Sequence, residues 1–206
     1  MNHESFAIKG APVSFPEWRG ERHYMLGFTL ASGLPSAAKR YQAAVDQMMS
    51  SVSVATDQEC FLMVDEKLVG PGKTHRRPGL HVDGYWRPVA HCHGGAPPTR
   101  PGHHPAPSPS PSPGHSPRGE SAEAILMASN FAASVALLGA YQRDFEKDWR
   151  GGDCSDVDAT TLTPVTLESG ATYVLDVFSL HASMPVTENV RRTLLRINVP
   201  NWRLRN

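Results

Sequence analysis

Residues 94–119 constrain the fold more than any other stretch of the chain. Nine of its 18 prolines fall there, and from Pro105 to Pro113 proline alternates with alanine or serine. Such a segment cannot bury a core and is expected to be extended or disordered, with polyproline character. A chain of 206 residues with 40% hydrophobic content has material for one domain. Its core must therefore be assembled from the two flanks. The expected organisation is a single domain over 1–206, with 94–119 as a Pro/Ser/Gly-rich insertion in one of its loops.

The flanks read mainly as short strands. Ala171 to Phe178 is rich in β-branched and aromatic residues and follows the turn signal Glu168-Ser169-Gly170. Met184 to Asn189 reads as a strand ending in a turn, and Arg191 to Val199 as a last strand closed by Pro200. Cys60 to Val64 is an apolar run of strand length, and Ala124–Ser129 and Ala133–Leu138 read as two strands joined near Asn130. In the N-terminal third, helical spacing of Ala37, Tyr41, Ala44, Val45 and Met48 predicts a helix from Ser36, as cap, to about Ser51. Met48 and Met49 then belong to its packed face. Alternation in the last strand puts Arg191 with Thr193, Leu195, Ile197 and Val199. That face is the better interior one. Arg191 is therefore expected inside and Arg192 in solvent.

The chemistry-bearing pattern is Gly79-Leu80-His81-Val82-Asp83-Gly84. A strand places residues i and i+2 on one face, so His81 and Asp83 converge. With His181 from a second strand they form two histidines and one carboxylate, a facial set that leaves coordination positions open and suits non-haem Fe(II). An arginine at the mouth of an apolar barrel can hold a carboxylate through its planar fork.

His81-x-Asp83, the stretch His181-Ala-Ser-Met-Pro185-Val186 and Arg191 ten positions after His181 together resemble the Fe(II)/2-oxoglutarate-dependent dioxygenase superfamily. The likeness spans roughly 74–200. It implies a mainly β fold with a flanking helix outside the larger sheet: a double-stranded β-helix, that is, a jelly roll or cupin-like barrel. It implies that His81, Asp83 and His181 are catalytic iron ligands. Arg191 would bind the far carboxylate of the cosubstrate 2-oxoglutarate. The implied reaction consumes oxygen, releases succinate and CO2, and usually hydroxylates a C–H bond. Two other readings stand beside it. A cupin-like metal enzyme would use no 2-oxoglutarate, and a non-catalytic binding module would use the same barrel with the Pro/Ser segment as its arm.

The remaining features narrow the partners. Formal net charge is zero and pI about 7.2, so no overall field draws the chain to nucleic acid or membrane. No 18-residue apolar run is present, and the first residues lack the pattern of a signal peptide. Cys60, Cys92 and Cys154 show no zinc spacing and read as free thiols of a reducing compartment. A cytoplasmic protein is the expectation. The basic run Lys73-Thr74-His75-Arg76-Arg77 reads as a solvated loop, or else as a contact for a small-molecule or anionic substrate; nucleic acid is the less favoured partner, since no stacking aromatics accompany it. His91, His93, His103, His104 and His115 read as solvated histidines near the insertion. Gly151 to Asp156 reads as a turn-rich loop able to help select substrate.

Overall fold

A computed structural model describes residues 2–83, 123–145 and 152–205. The insertion, His91, His93 and the other histidines of that region, together with Cys92, lie outside the described residues. The described chain is mainly antiparallel β. Its strands are β1 (Asn2–Ser5), β2 (Ile8–Pro12), β3 (Arg22–Phe28), β4 (Val52–Ser53), β5 (Cys60–Val69), β6 (Glu123–Ser129), β7 (Ser134–Gln142), β8 (Thr163–Thr166), β9 (Ala171–Asp176), β10 (His181–Ser183), β11 (Val190–Pro200) and β12 (Arg203–Leu204). One helix, α1 (Gln42–Met49), follows a 3-10 turn over Ser36–Tyr41.

The strands form a six-stranded sheet in the order β2-β9-β6-β11-β5-β3 and a smaller one in which β1 and β10 flank β7, with β8 also paired to β7. Both faces of the large sheet are covered. On one side Ala44, Val45 and Met48 of α1 and Tyr41 pack against Leu62, Val64, Leu126, Val174, Leu195 and Ile197. On the other, Met63, Ile125, Met127, Tyr173, Leu175 and Leu194 meet Ala136, Leu167 and Leu180 of the smaller sheet. A strand buried on both faces reads as almost continuously apolar. β11 departs from this: it is buried from Arg192 to Val199, yet Arg192, Thr193, Arg196 and Asn198 are among the buried residues.

This double burial reverses one sequence expectation. Thr193, Leu195, Ile197 and Val199 do share a face, but it is the face covered by α1. The inter-sheet face carries Arg192, Leu194, Arg196 and Asn198. Arg191 is exposed, with its guanidinium 5.3 Å from the Trp18 ring centroid, while Arg192 is fully buried. The more apolar face of β11 belongs to the helix, and the more polar face to the space between the sheets. Two smaller expectations also fail. Met184–Asn189 forms no strand, since the strand there, His181–Ser183, ends just before it, and the helix start carries no side-chain cap, with Pro35 preceding the 3-10 turn.

The chain's N-terminus stitches the two sheets together. β1 pairs with β7 in the smaller sheet, and β2 with β9 at the edge of the larger. Between them the Ser5 hydroxyl donates to Leu137 O and accepts from Leu180 N (2.8 Å), while Ser179 Oγ accepts from Phe6 N. No helix among the described residues is long and apolar enough to cross a membrane.

Candidate metal centre

The segment 80–82 lies between two other pieces of backbone. His81 and His181 exchange both of their backbone hydrogen bonds at 3.0 Å, so the two histidines sit directly opposite one another. On the other side, Val82 N donates to Gly152 O and Cys154 N to Leu80 O, each at 2.9 Å. Residues 152–154 thus extend the smaller sheet beyond the His81 segment. Gly152 has φ +79°, and an added Cβ would lie 2.4 Å from Val82 O, so this approach requires glycine. His181 is fixed in turn by β7, opposite Ala136.

The side chains of His81, Asp83 and His181 meet inside this corner. One ligand atom from each lies within 4.8 Å of the others, and both histidines are buried. Each imidazole is oriented by a carbonyl two residues earlier. Nδ1 of His81 is 2.9 Å from Gly79 O, and Nδ1 of His181 is 3.0 Å from Ser179 O. A carbonyl accepts only, so each contact places a proton on Nδ1 and turns Nε2 toward the site, the orientation a metal-binding histidine adopts. His181 Nε2 stands 3.3 Å from Asp83 Oδ2. Burial and the neighbouring His181 push His81 down to about 4, so its imidazole is neutral at physiological pH. Burial alone would raise Asp83; Arg196, then His181 and His81, hold it well below the usual carboxylate range. Two imidazole nitrogens and one carboxylate oxygen on a single face are a donor set that fits Fe(II) or a similar divalent ion.

Further along the inter-sheet face, Arg192 is enclosed by three hydroxyls. Its Nε donates to Ser129 Oγ (3.0 Å), Nη2 to Ser134 Oγ (2.8 Å) and Nη1 to Ser183 Oγ (3.4 Å). Among the described residues no carboxylate lies within ion-pair reach of it. Burial lowers its pKa to about 10. A small, partly open recess lies against it, lined also by Ser129, Ser134, Tyr173, Leu194 and Glu168. Arg192 and Ser183 tie this recess to the metal corner, because Ser183 lies two residues from His181 on β10.

The basic run is a loop that is only partly solvated: Lys73 and Arg77 are exposed, but the residues between them are not. His75 is buried beside Asp65 (3.4 Å), Arg76 pairs with Asp65 (3.2 Å), and Arg77 lies against Gly152. In the 152–156 loop, Asp153 Oδ1 accepts from Ser155 N, a turn-forming contact, and Asp156 pairs with Arg143. Sequence reasoning did not find Arg196, whose Nη1 lies 2.7 Å from Asp83 Oδ2. Its signal was present in the alternation: it follows Arg192 by four residues and so shares its face.

Comparison with known proteins found no matching family model, curated protein or solved structure.

Proposed function

We propose that the chain is an Fe(II)/2-oxoglutarate-dependent oxygenase built on a double-stranded β-helix. The observation that carries this reading is the convergence of His81, Asp83 and His181, with both imidazoles held at Nδ1 so that Nε2 faces the site.

The strand order supports the fold. Taking β5, the His81 segment, β6, β7, β8, β9, β10 and β11 as eight successive strands, the first, third, sixth and eighth lie in the large sheet as β9-β6-β11-β5. The second, fourth, fifth and seventh run His81 segment, β10, β7, β8 in the smaller. This distribution of antiparallel strands between two facing sheets supports a jelly-roll reading.

Arg192, not Arg191, is the residue suited to anchor the far carboxylate of 2-oxoglutarate. A buried cation with only neutral partners is costly, and a carboxylate in the adjoining recess would relieve that cost through a charge-assisted fork. Ser129 and Ser134 hold the guanidinium in place and line the same recess. The same need for a carboxylate disfavours a cupin-like enzyme that uses no such cosubstrate. Bound Fe(II) with 2-oxoglutarate would supply oxygen activation, with release of succinate and CO2 and oxidation of a substrate C–H bond. The chain's own share is to orient the ligand imidazoles, keep Asp83 ionised, seat the cosubstrate and exclude water.

The test is anaerobic titration of the purified protein with Fe(II) and 2-oxoglutarate, followed by a succinate assay in air. A visible charge-transfer band and succinate formation are expected, both lost in Asp83→Ala while its far-ultraviolet circular dichroism stays unchanged. Fe(II) binding without any effect of 2-oxoglutarate would favour the cupin-like reading. Neither ligand binding would leave the barrel as a binding module.

A further inference from the structure

We propose that Arg196 makes the metal site anion-dependent: held on Asp83 inside the site, its guanidinium couples binding of a divalent metal to binding of a carboxylate co-ligand, so that each tightens the other. The inference rests on the metal-site reading above and assigns a positioning role to a residue which that reading leaves without one.

The charges at the site carry the argument. As ligands both histidines are neutral, because a protonated imidazole has no lone pair to give. Asp83 is then the only anion of the three, and Arg196 already cancels it at 2.7 Å. Arg196 is 4% exposed, and its Nε is buried with no hydrogen-bond partner among the described residues. A divalent ion entering this corner leaves two uncompensated positive charges shielded from water, where a His/His/Asp set without the arginine would leave one. Unpaired buried charge is expensive. Arg192 adds a further buried cation four residues along the same strand face. Among the described residues the other carboxylate buried on this face, Asp65, is engaged by Arg22, Arg76 and His75. Among the described residues the interior therefore supplies too few anions for a bound metal, and a dicarboxylate would provide two. Linkage makes the effect reciprocal: whatever the co-ligand gains from the metal, the metal gains from the co-ligand.

A residue that only oriented Asp83 would behave differently. Its removal would loosen the metal and leave the coupling alone. The two cases separate in a Co(II) titration followed by visible absorption, with and without saturating 2-oxoglutarate, correcting for chelation in solution. In the wild type, 2-oxoglutarate is expected to tighten Co(II) by at least about ten-fold, within the usual range of coupling between sites. In Arg196→Gln, Co(II) alone should bind tighter than in the wild type, and the tightening by 2-oxoglutarate should shrink about ten-fold. Arg196→Lys keeps the charge and should keep most of the coupling. Weaker Co(II) binding in Arg196→Gln with undiminished coupling would overturn the proposal. So would a wild type in which 2-oxoglutarate leaves Co(II) affinity unchanged, a result that needs no variant to fold. Co(II) binding absent in the wild type, or unaltered by His181→Ala, would instead remove the metal-site reading, and the inference with it.

Discussion

Arg191 and Arg192 adjoin in sequence, yet their side chains meet different worlds: one stacks on Trp18 at the surface, the other is closed among Ser129, Ser134 and Ser183. A charge-assisted, two-pronged contact to a carboxylate is worth about 2–3 kcal/mol. Arg192→Lys, which keeps the charge but loses the fork, should therefore weaken 2-oxoglutarate by a large part of the roughly 30- to 150-fold that this energy represents. Arg191→Ala should change it less than about two-fold, as expected of a solvated cation. Calorimetric titration of the two variants checks this, and equal losses in both would remove the anchor assignment. The three candidate ligands were legible because period-two geometry brings His81 and Asp83 together whatever covers the sheet. The arginine was not. Choosing between neighbours required knowing which face of β11 the helix covers, and a strand buried on both sides carries that information only in the contrast between Leu195 or Ile197 and Arg192 or Arg196.

At the scale of elements, the site depends on residues 152–154 lying along the His81 segment. Gly152 is in the left-handed region, and its missing side chain leaves room for Val82 O. Gly152→Ala adds two penalties: a left-handed alanine, about 1–2 kcal/mol, and a backbone collision relieved only by moving this segment away from His81. Gly72, at φ +70° with no heavy atom near the position of an added Cβ, isolates the first penalty. Gly152→Ala should thus lower the melting temperature more than Gly72→Ala, and it alone should weaken Co(II) binding. Similar losses in both would show that the segment gives the ligand corner no support. The long apolar strands β5, β6, β9 and β11 were recognisable from composition and turn signals. β1, β2 and β3 were not, because they are edge strands of mixed polarity; β2 is half exposed, and β3 carries an irregularity at Tyr24–Met25, where Met25 has φ 52°. β10 has three residues, too few for any periodicity to show, and its identity rests on pairing with β7 and the His81 segment.

At the scale of the whole molecule, two buried carboxylates give the protein opposite responses to pH. Burial raises Asp65, but His75, Arg22 and Arg76 outweigh it and bring it to about 2. Its folded pKa lies below the unfolded value, so its contribution is present above about pH 4 and is lost as pH falls through 2. Asp176 goes the other way. Burial pushes it up to about 6 even though Oδ1 accepts from Phe178 N and the Ser179 hydroxyl, and its buried Oδ2 has no hydrogen-bond partner among the described residues. Between about pH 4 and 6 the folded chain holds a proton that the unfolded chain has released, so stability falls as pH rises through that window, by up to ~3 kcal/mol. For a domain of this size that is roughly 6–12 °C of melting temperature. Asp176→Asn cannot titrate, and whatever its amide costs in the site is the same at every pH. The comparison that matters is therefore the difference between the two proteins' melting temperatures at pH 4.5 and at pH 7.5. It should move in favour of Asp176→Asn by several degrees as pH rises, and a constant difference across that range would show that Asp176 is ionised in the folded protein throughout.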